Sequence, residues 1–547
     1  MTTIPLTGAA VLRSGLAASA PKPAPQQAAP ASASFHAHNP ATGAALEPVF
    51  HSATEADVDH AAALARQAAP HLASASGSQR ASLLRLIAEK LLASQPQIVE
   101  RAALETGLPP ARLNGEMGRT VTQLRLFADL AAEGSWVDAR IDEAQPDRKP
   151  TPRPAVCSML RPLGPVVVFG ASNFPLAFSV AGGDTAAALA AGCPVLVKAH
   201  PAHPGTSELV ARVICASVAE LGFPDGSFSH LADAGFTIGS ALVRHPAVRA
   251  IAFTGSTAGG QALMRLAAER PEPIPCFAEM GSVNPVFILP QAMHARPEAI
   301  ANGLAASFTL GSGQFCTKPG IVFLPRHAPD SFLQSLRSTV AALPPLGMLT
   351  STIATRFQQS LAARTQDAGT ASVFATAACP PKATEGTANA ATAQATVFHL
   401  GLEDFLARPA LQDEIFGPTV ILVRYDRAEQ LAHAADRLHG QLTATLHADE
   451  ADLALAAPLL AALEARAGRL VWNAFPTGVE VCHAMVHGGP FPATSDSRFT
   501  SVGTASILRF ARPVCFQDIP DPLLPPELQP ANPLGIERLI NGVRARR

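Results

Sequence analysis

The sequence predicts an α/β fold built on two parallel sheets. Short apolar runs rich in β-branched residues, such as 165–170 and 194–199, are typical of strands that are buried on both faces. A helical pattern at 205–222 follows them, and this alternation of strand and helix indicates parallel strands joined by right-handed crossovers. The 547 residues are 48% hydrophobic and 15% charged, which is enough apolar material for large buried cores.

The first part of the chain is predicted to be a tail followed by helices. Residues 1–34 are rich in Ala, Pro and Ser, a composition that is typical of a mobile segment. At 52–73, Ser and Thr precede a helical apolar pattern, as expected for a helix with an N-cap. Apolar residues at three- and four-residue spacing predict two further amphipathic helices within 76–107.

Two series of strands follow. The first has predicted strands at 165–170, 194–199 and 248–255 with helices between them, which is the order found in dinucleotide-binding folds. The second has predicted strands at 284–290, 319–326, 419–426 and 443–449 and helices at 297–316 and 428–439. The stretch 370–392, rich in Ala, Thr and Pro, is predicted to be a loop.

Composition disfavours several classes of protein. The net charge is −2 and no basic stripe is visible, so we expect no nucleic acid partner. The eight cysteines contain no CxxC pair and no zinc-like spacing, which suits a reducing compartment such as the cytoplasm. Residues 164–197 carry one charge, Asp184, but glycines and prolines divide them into short elements, so we expect no membrane span.

Residues at the ends of the first strands are candidates for ligand binding. In FTGSTAGG (253–260) a strand leads through Gly255 and Ser256 into a helix, whose free first amides suit a phosphate. An ordinary strand-to-helix turn explains this pattern equally well. Lys198 ends another strand, at the edge where such sheets bind ligands, and suits a ribose hydroxyl or a phosphate. A solvated lysine is the alternative there.

Three other positions carry polar or acidic groups beside strands. The side-chain amide of Asn173 can donate to an oxyanion, although asparagine is also common in turns. Glu279 stands among apolar residues in CFAEMG, so burial is expected to raise its pKa into the range of a general base; a buried structural acid is the alternative. Glu414 precedes a strand together with Phe416, a pairing that suits a ribose and a flat ring.

Cys316 differs from the other cysteines. Free cysteines are usually small buried hydrophobes, and seven of the eight have apolar neighbours that fit this interpretation. In GSGQFCTKPG (311–320) the residues before Cys316 are small or polar and leave room for a ligand. A nucleophile fits this setting, and the backbone amide of Cys316 can serve an oxyanion. We expect no metal, because no further ligand lies at close spacing.

The chain resembles the NAD(P)-dependent aldehyde dehydrogenase superfamily from about residue 36 to 516. The resemblance rests on motifs that occur together and in order: Asn173, Lys198, FTGST with Gly255 and Gly260, Glu279, Cys316 and EIFGP (414–418). Within the superfamily, KAHPAHPGTSE, RPEPIPCFAEMGSVNP and GSGQFCTKPG are similar to the bacterial 2,5-dioxovalerate (α-ketoglutaric semialdehyde) dehydrogenases. An NADP-preferring fatty aldehyde dehydrogenase is also similar.

The resemblance implies roles for individual residues. Cys316 would attack the aldehyde, Asn173 would hold the oxyanion, and Glu279 would activate water to release the acid. The coenzyme would lie against Lys198, Gly255, Ser256, Gly260, Glu414 and Phe416. Pro201 stands where NAD-specific relatives commonly have Glu, so NADP is slightly favoured over NAD, with His200 or His203 near its 2′-phosphate. Ser282 replaces the second glycine of a Gly-Gly pair that many relatives have.

The substrate end is expected to combine cations and aromatic rings. The segment 115–127 resembles the family helix that borders the substrate tunnel, and its candidates for a distal carboxylate are Arg119, Gln123 and Arg125. Candidates for the tunnel wall are Phe174, Phe178, Phe308, Phe315 and Phe475. An apolar tunnel would suit a fatty aldehyde equally well.

The resemblance also implies a division of the chain. We expect a disordered tail at 1–34, a Rossmann-like coenzyme domain at 35–133 and 164–282, a catalytic domain at 283–502, oligomerisation strands at 134–163 and 503–520, and a C-terminal tail at 521–547. Exposed strand edges need a partner, so a homodimer or homotetramer is expected.

Three other functions remain as alternatives. A cysteine hydrolase would need a histidine within hydrogen-bond range of Cys316 and would leave the phosphate-binding features unexplained. A binding protein that has lost activity is disfavoured by the intact set of Asn173, Glu279 and Cys316. A variant that transfers its acyl group to CoA is disfavoured by Glu279, which suits water activation.

Overall fold

The computed structural model describes residues 3–14, 33–344, 346–366, 371–375 and 391–546. Its helices are α1 (Glu55–Ser74), α2 (Gly77–Ala93), α3 (Gln95–Thr106), α4 (Pro110–Glu133), α5 (Gly183–Ala191), α6 (Pro204–Glu220), α7 (Thr237–Arg244), α8 (Thr257–Ala268), α9 (Pro290–Ala295), α10 (Pro297–Thr309), α11 (Asp330–Ala341), α12 (Ser351–Gln366), α13 (Leu402–Leu406), α14 (Gln430–Asp436) and α15 (Leu453–Glu464).

The strands of the described ranges form three larger sheets and two small ones. They are β1 (Val11–Arg13), β2 (Ser34–His38), β3 (Ala45–His51), β4 (Arg140–Asp142), β5 (Val156–Pro162), β6 (Val166–Phe169), β7 (Val195–Lys198), β8 (Phe228–Leu231), β9 (Ala250–Thr254), β10 (Cys276–Glu279), β11 (Val286–Ile288), β12 (Ile321–Pro325), β13 (Leu346–Gly347), β14 (Ala371–Ala375), β15 (Thr392–Ala393), β16 (Thr396–Gly401), β17 (Thr419–Tyr425), β18 (Gln441–His447), β19 (Ala467–Trp472), β20 (Ala511–Gln517), β21 (Arg538–Ile540) and β22 (Val543–Ala545).

The first sheet has the order β1-β8-β7-β6-β9-β10. Its five inner pairings from β8 to β10 are parallel wherever β6, β7, β8, β9 and β10 meet, as the alternating pattern predicts. Val166, Val167 and Val168 of β6 are fully buried, because helices cover both faces of the sheet. Helix α1 begins where expected, since Thr54 and Asp57 form a capping box at its start.

The second sheet has the order β14-β16-β17-β12-β11-β18-β19. Its pairings are parallel except for β14 with β16, which is antiparallel. The helix predicted at 297–316 is shorter, because α10 ends at Thr309 and a turn of left-handed residues follows. The prediction of a loop at 370–392 is wrong for β14, while 376–390 lie outside the described residues.

The third sheet, β20-β5-β4-β21-β22, joins two distant parts of the chain. Strand β20 pairs with β5 as the resemblance implied, but β21 also pairs with β4. The predicted C-terminal tail at 521–547 is therefore wrong for this stretch. Arg538 is 1% exposed and donates to the carbonyl of Gln529 at 2.6 Å, so β21 is held in the sheet by packing and by hydrogen bonds.

The predicted N-terminal tail is also wrong in part. Strand β1 pairs antiparallel with β8 at the edge of the first sheet. The Glu208 carboxylate accepts from the backbone amides of Thr7 and Gly8, both at 2.9 Å, and fixes the segment before β1. Residues 15–32 lie outside the described ranges. Among the described helices, none combines the length and the hydropathy needed to cross a membrane.

Candidate active site

A cleft of about 1300 Å³ opens at the carboxyl ends of β6, β7, β9 and β10. This is the edge at which parallel α/β sheets bind ligands. The cleft extends from Lys198 and the start of α8 to Cys316 and Glu279. The volume of the cleft suits an extended ligand of dinucleotide size. Cys316, in the loop that follows α10, lies at the inner end of the cleft.

The backbone of the loop before Cys316 is tightly determined. Gly311, Ser312 and Gly313 all have left-handed φ values, of 55°, 59° and 67°. A Cβ atom at Gly313 would lie 2.3 Å from the carbonyl carbon of Gly417, so only glycine fits there. The small residues that precede Cys316 are thus required by the path of the chain.

A buried amide holds the other side of this loop. Nδ2 of Asn284 donates to the carbonyl oxygens of Cys316 at 2.8 Å and of Lys318 at 3.0 Å. The hydroxyl of Ser282 donates to Oδ1 of Asn284 at 3.0 Å. Ser282 therefore supports the position of Cys316 through Asn284.

Three reactive side chains meet at the inner end of the cleft. Nε2 of His487 lies 3.4 Å from Sγ of Cys316 and 2.7 Å from Oε1 of Glu279. The hydroxyl of Ser501 donates to Oε2 of Glu279 at 2.5 Å. Nε2 of His487 carries the proton that is donated to Glu279, and Nδ1 has no partner among the described residues.

The pKa of Glu279 is lowered, whereas the sequence predicted a raised value. Burial alone raises the pKa of this carboxyl, but the charge and hydrogen bond of His487 and the hydrogen bonds from Ser501 and Cys316 outweigh it. The carboxylate is therefore ionised at neutral pH and able to accept a proton. Burial was correctly predicted, but the partners that reverse its effect lie more than 200 residues away in the sequence.

The Cys316 thiol has the opposite shift. Burial raises its pKa well above the usual range, and the negative charges of Glu279 and Glu414 raise it further, against the opposing effect of Arg119. The resting group is a thiol, and its proton has an acceptor in Glu279. The directions of the two pKa shifts keep the proton on the sulfur in the resting site.

Asn173 lies beside this pair. Its Nδ2 donates to the carbonyl of Gln314 at 3.0 Å, which leaves a second N–H on the same nitrogen. Its own carbonyl accepts from Nη2 of Arg112 at 2.8 Å. Asn173 and Cys316 both line the cleft.

Aromatic rings surround the approach to Cys316. Phe174 lies 5.4 Å from Phe178 and 5.2 Å from Phe315, measured between ring centroids. The guanidinium of Arg112 stacks on Phe315 at 4.6 Å, and that of Arg119 on Phe178 at 5.4 Å. The structure therefore brings these predicted substrate candidates together.

Other predicted substrate candidates lie elsewhere. Gln123 is 1% exposed and lies against Gly183 within the first core. Phe475 packs on Gly303 and on the ring of His447. Phe308 is fully buried in a core of the second sheet, and Arg125 is exposed. Arg125, six positions after Arg119 on α4, lies on a different face of the helix.

The outer end of the cleft contains a cation and a helix start. Lys198 is 8% exposed and its Nζ donates to the carbonyl of Asp233 at 2.9 Å. Burial lowers the pKa of Lys198 to about 8, with Asp233 opposing the shift. Ser256 caps α8 by accepting from the amide of Gly259 at 3.2 Å, and Gly255 lines the cleft beside it.

Gly260 does not face the cleft. It is buried, and a Cβ atom at this position would lie 2.5 Å from Sδ of Met280. The glycine allows α8 to pack closely on the segment after β10. Its predicted contact with a coenzyme is therefore replaced by a packing role.

Glu414 and Phe416 both line the middle of the cleft. Burial raises the pKa of Glu414 to about 7, while the positive charge of Lys318 opposes this. Nζ of Lys318 donates to the carbonyls of Ile415 and Thr419 at 3.2 and 2.9 Å. This lysine is thereby fixed under the segment that carries Glu414.

Comparison with known proteins agrees with this geometry. The model of the aldehyde dehydrogenase family matches residues 28–490. The chain belongs to the aldehyde dehydrogenase family. Alpha-ketoglutaric semialdehyde dehydrogenase 2 of Azospirillum brasilense is 50% identical over 511 residues, which are 93% of this chain and 96% of that protein. Alpha-ketoglutaric semialdehyde dehydrogenase of Acinetobacter baylyi is 47% identical over 90% of this chain and 93% of that protein.

Solved structures support the aldehyde dehydrogenase fold. Betaine aldehyde dehydrogenase of Staphylococcus aureus, solved in complex with NAD+, has a TM-score of 0.75 at 19% identity and covers 88% of this chain and 91% of that chain. The architecture of two α/β units predicted from the sequence is therefore confirmed. Membership of this family supports the use of a nicotinamide coenzyme.

Sequence reasoning missed several residues of this aldehyde dehydrogenase site. His487 is 171 positions from Cys316, and no spacing rule links them. The pattern HGGP (487–490) is the one available signal, since paired glycines often mark a close approach of the backbone. Ser501 and Asn284 carried no signal of their own.

Glu279, Cys316 and His487 also meet the first requirement for a metal site, which is that several ligand atoms lie close together. Ligand atoms of Glu279, Cys316 and His487 all lie within 4.8 Å of one another. The sequence predicted no metal because it revealed no close ligands, and the fold supplies them from distant segments. A thiolate, an imidazole and a carboxylate form a set that suits Zn²⁺.

Proposed function

We propose that this aldehyde dehydrogenase oxidises 2,5-dioxovalerate (α-ketoglutaric semialdehyde) to 2-oxoglutarate with NAD(P)+ as acceptor. The observation that carries the reaction is the contact of Cys316 with Glu279 and His487 at the inner end of a dinucleotide-sized cleft. The substrate is supported by two relatives named for it, at 50% and 47% identity over nearly their full length.

The residues of the cleft fit a nicotinamide coenzyme. Gly255 and Ser256 at the start of α8 suit its pyrophosphate. Lys198 suits the adenosine ribose, and Glu414 with Phe416 suits the nicotinamide end near Cys316. When bound, the coenzyme accepts a hydride from the carbon attached to Cys316.

The first step uses the thiol and its neighbouring base. Glu279 accepts the thiol proton, and the thiolate sulfur of Cys316 forms a bond to the aldehyde carbon. The aldehyde oxygen becomes an oxyanion, which Asn173 Nδ2 and the Cys316 backbone amide stabilise. Loss of hydride then converts the thiohemiacetal into a thioester.

The second step releases the acid. Glu279 first releases the thiol proton to solvent, and the carboxylate then takes a proton from water as the water oxygen attacks the thioester carbon. The C–S bond breaks, and the Cys316 sulfur leaves as thiolate and regains its proton. His487 and Ser501 orient Glu279 and favour its ionised form between the proton transfers.

We further propose that NADP+ is used slightly better than NAD+. Residues 198–202 read KAHPA, so no acid faces a 2′-phosphate after Lys198. His203 is fully buried and bonded to the carbonyl of Ala171 at 2.8 Å, which removes it as a phosphate ligand. Burial, together with His203 and Lys198 nearby, lowers the pKa of His200 well below its usual value. His200 is therefore neutral at pH 7, and Lys198 is the cation available to a 2′-phosphate.

The units of the fold receive corresponding roles in this proposal. The first sheet and its helices form the coenzyme domain, and the second sheet forms the catalytic domain that carries Cys316. The residues of β20 are exposed or half-buried. This suits pairing of the third sheet with another copy of the chain, which would give a homodimer or homotetramer. All seven described cysteines are free, which suits the cytoplasm.

A cysteine hydrolase is the second candidate, and one observation favours it. His487 lies within reach of Cys316 and next to an acid, an order of groups that resembles a hydrolytic triad. The two candidates differ in their need for a coenzyme. A hydrolase would cleave thioesters at full rate without NAD(P)+.

The test is an assay of NAD(P)H formation at equal concentrations of 2,5-dioxovalerate and of a medium-chain alkanal. We expect the semialdehyde to have the higher kcat/KM, and Cys316→Ala to abolish activity with both substrates. Cys515→Ala, at an exposed cysteine, is the matched control. A higher kcat/KM for the alkanal would support a fatty aldehyde dehydrogenase instead, and coenzyme-independent turnover would support the hydrolase.

A further inference from the structure

A buried lysine links the loop of Cys316 to the segment that carries Glu414. Lys318, two residues after Cys316, is 1% exposed. Its Nζ donates to the carbonyl of Ile415 at 3.2 Å and to the carbonyl of Thr419 at 2.9 Å. The side chain of Lys318 therefore spans from the nucleophile loop to the segment that suits the nicotinamide end of the coenzyme.

The backbones of these two segments also pack against each other. A Cβ atom at Gly313 would lie 2.3 Å from the carbonyl carbon of Gly417, so the two chains run in direct contact. Lys318 is fixed at its backbone as well, because its carbonyl accepts from Nδ2 of Asn284 at 3.0 Å. The two segments thus form one packed unit.

The charge of Lys318 is more than this packing requires. Burial of a charge costs free energy, and neutral donors can also bind carbonyls. Arg364, 8% exposed, binds the same segment through the carbonyls of Leu411 at 3.2 Å and Asp413 at 3.3 Å. Burial raises the pKa of Glu414 to about 7, and the charge that opposes burial is that of Lys318. The lysine therefore acts on Glu414 as well as on the backbone.

Two other elements border the Glu414 carboxylate. A Cβ atom at Gly281 would lie 2.6 Å from Oε2 of Glu414 and 2.9 Å from Oγ1 of Thr257, so the segment after β10 and the start of α8 lie against it. Cys316 faces it from the nucleophile loop, and the negative charge of Glu414 raises the pKa of that thiol. Of the charges that act on Glu414 in the described part of the chain, Lys318 is the positive one.

We propose that Lys318 is a positioning residue for the nicotinamide half of the coenzyme, because it holds the Glu414 carboxylate charged and in place beside Cys316. This inference deepens the proposed function and rests on it. An ionised carboxylate accepts hydrogen bonds from ribose hydroxyls, whereas the protonated acid loses part of that capacity. Hydride transfer needs the two reacting carbons about 3–3.5 Å apart, and a packed link between the two segments favours that geometry.

The experiment measures affinity for NAD+ and not turnover. Isothermal titration calorimetry gives Kd between pH 6 and pH 9 in a Cys316→Ala background, where no thiol titrates beside Glu414. Kd of this parent protein should fall about fivefold to tenfold between pH 6 and pH 8, because Glu414, with a pKa of about 7, becomes ionised and accepts from the ribose. Glu414→Gln should remove this change.

Lys318→Met should move the change to higher pH. Loss of a nearby positive charge raises the pKa of Glu414, so the midpoint should rise by about one pH unit or more, and Kd at pH 7 should increase about fivefold. Lys318→Gln lacks the charge but keeps a donor for the carbonyls, so it should show the same displacement and serves as the test where the Met variant does not fold. Arg364→Met is the control and should keep the midpoint of the parent.

Two results would overturn the proposal. An unmoved midpoint in the Lys318 variants, even with a Kd that rises equally at every pH, would mean that the lysine supports the loop alone. A pH dependence that survives Glu414→Gln would mean that the titrating group is a different one.

The outcomes also separate this inference from the proposed function, since no aldehyde enters the titration. If the midpoint depends on Lys318 but the enzyme does not prefer 2,5-dioxovalerate, the inference holds and the substrate assignment fails. If the chain binds neither NAD+ nor NADP+, both fail together.

Discussion

The two ends of the cleft are organised in opposite ways. At the inner end, Cys316, Glu279 and His487 contact one another, and every shift of pKa there has a neighbouring side chain among its causes. At the outer end, Lys198 donates to a backbone carbonyl and Ser256 caps its own helix. Side chains thus interact mutually at one end and independently at the other.

This difference predicts different consequences of substitution. At the inner end, removal of one group changes the proton affinity of the others, so effects on rate should be large and should alter pH profiles. At the outer end, removal of one group should change coenzyme affinity alone. The following tests are ordered from the largest expected effect to the smallest.

Glu279→Gln should have the largest effect on turnover. The amide cannot accept a proton, so both thiol activation and water activation are lost, and kcat should fall roughly 10²- to 10⁴-fold. Steady-state NADPH formation measures this, and mass spectrometry of quenched enzyme detects any acyl-Cys316. Glu403→Gln, at an exposed acid, is the control. A kcat within twofold of wild type would remove Glu279 from the mechanism.

Zn²⁺ should inhibit the enzyme by binding at the inner end of the cleft alone. Cys316, His487 and Glu279 converge within 4.8 Å, and Zn²⁺ displaces the thiol proton to form a stable thiolate complex. We expect Zn²⁺ at micromolar concentration to abolish dehydrogenase activity and EDTA to restore it, while EDTA alone leaves the enzyme active.

The metal comparison has an internal control. Mg²⁺ prefers oxygen ligands and should have no effect at the same concentration. His487→Asn should require more Zn²⁺ for half-inhibition, because one of three ligands is lost. Equal sensitivity of this variant would place the zinc elsewhere.

His487→Asn should also move the pH profile. The contact with His487 is the largest influence that lowers the pKa of Glu279, against the raising effect of burial. Without it the pKa of Glu279 rises, so the carboxylate becomes protonated at a higher pH. The acidic limb of kcat/KM should therefore shift to higher pH, with a loss of at least tenfold at neutral pH. A lower plateau with an unmoved limb would indicate a purely structural role.

The sequence was sufficient for seven strands of the two larger sheets, β6, β7, β9, β11, β12, β17 and β18, because their signals are local. The runs of β6 and β7 are continuous and apolar, and burial on both faces imposes that pattern wherever the strand lies in space. Asn173 follows β6 and Glu279 ends β10, so local patterns indicated these two candidates, whereas Cys316 was singled out by the small and polar residues before it. The motif thus marks the position, and the fold brings the positions together.

The interactions between distant segments were beyond such reasoning. The direction of the Glu279 pKa depends on His487 and Ser501, more than 200 residues further along. Likewise β1 and β21 are short strands in polar or proline-rich surroundings, and only their pairing with β8 and β4 makes them strands. Local composition predicts a tail in both cases, because pairing with a distant strand does not change the composition of the segment that pairs.

The outer end supplies the smallest and most selective test. Burial lowers the pKa of Lys198 to about 8, so its positive charge is present below this pH and is lost as the pH rises through it. The KM for NADP+ should therefore increase about three- to tenfold between pH 7 and pH 9, since a salt bridge to phosphate is lost. The KM for NAD+, which lacks the 2′-phosphate, should change less.

Substitution of the lysine isolates this effect from the inner end. Lys198→Met should raise the KM for NADP+ at pH 7 to the value that wild type shows at pH 9, and should make it independent of pH. Because no contact joins Lys198 to Cys316 or Glu279 among the described hydrogen bonds, kcat at saturating coenzyme should keep its wild-type pH profile. A displaced kcat profile would mean that the two ends of the cleft are coupled.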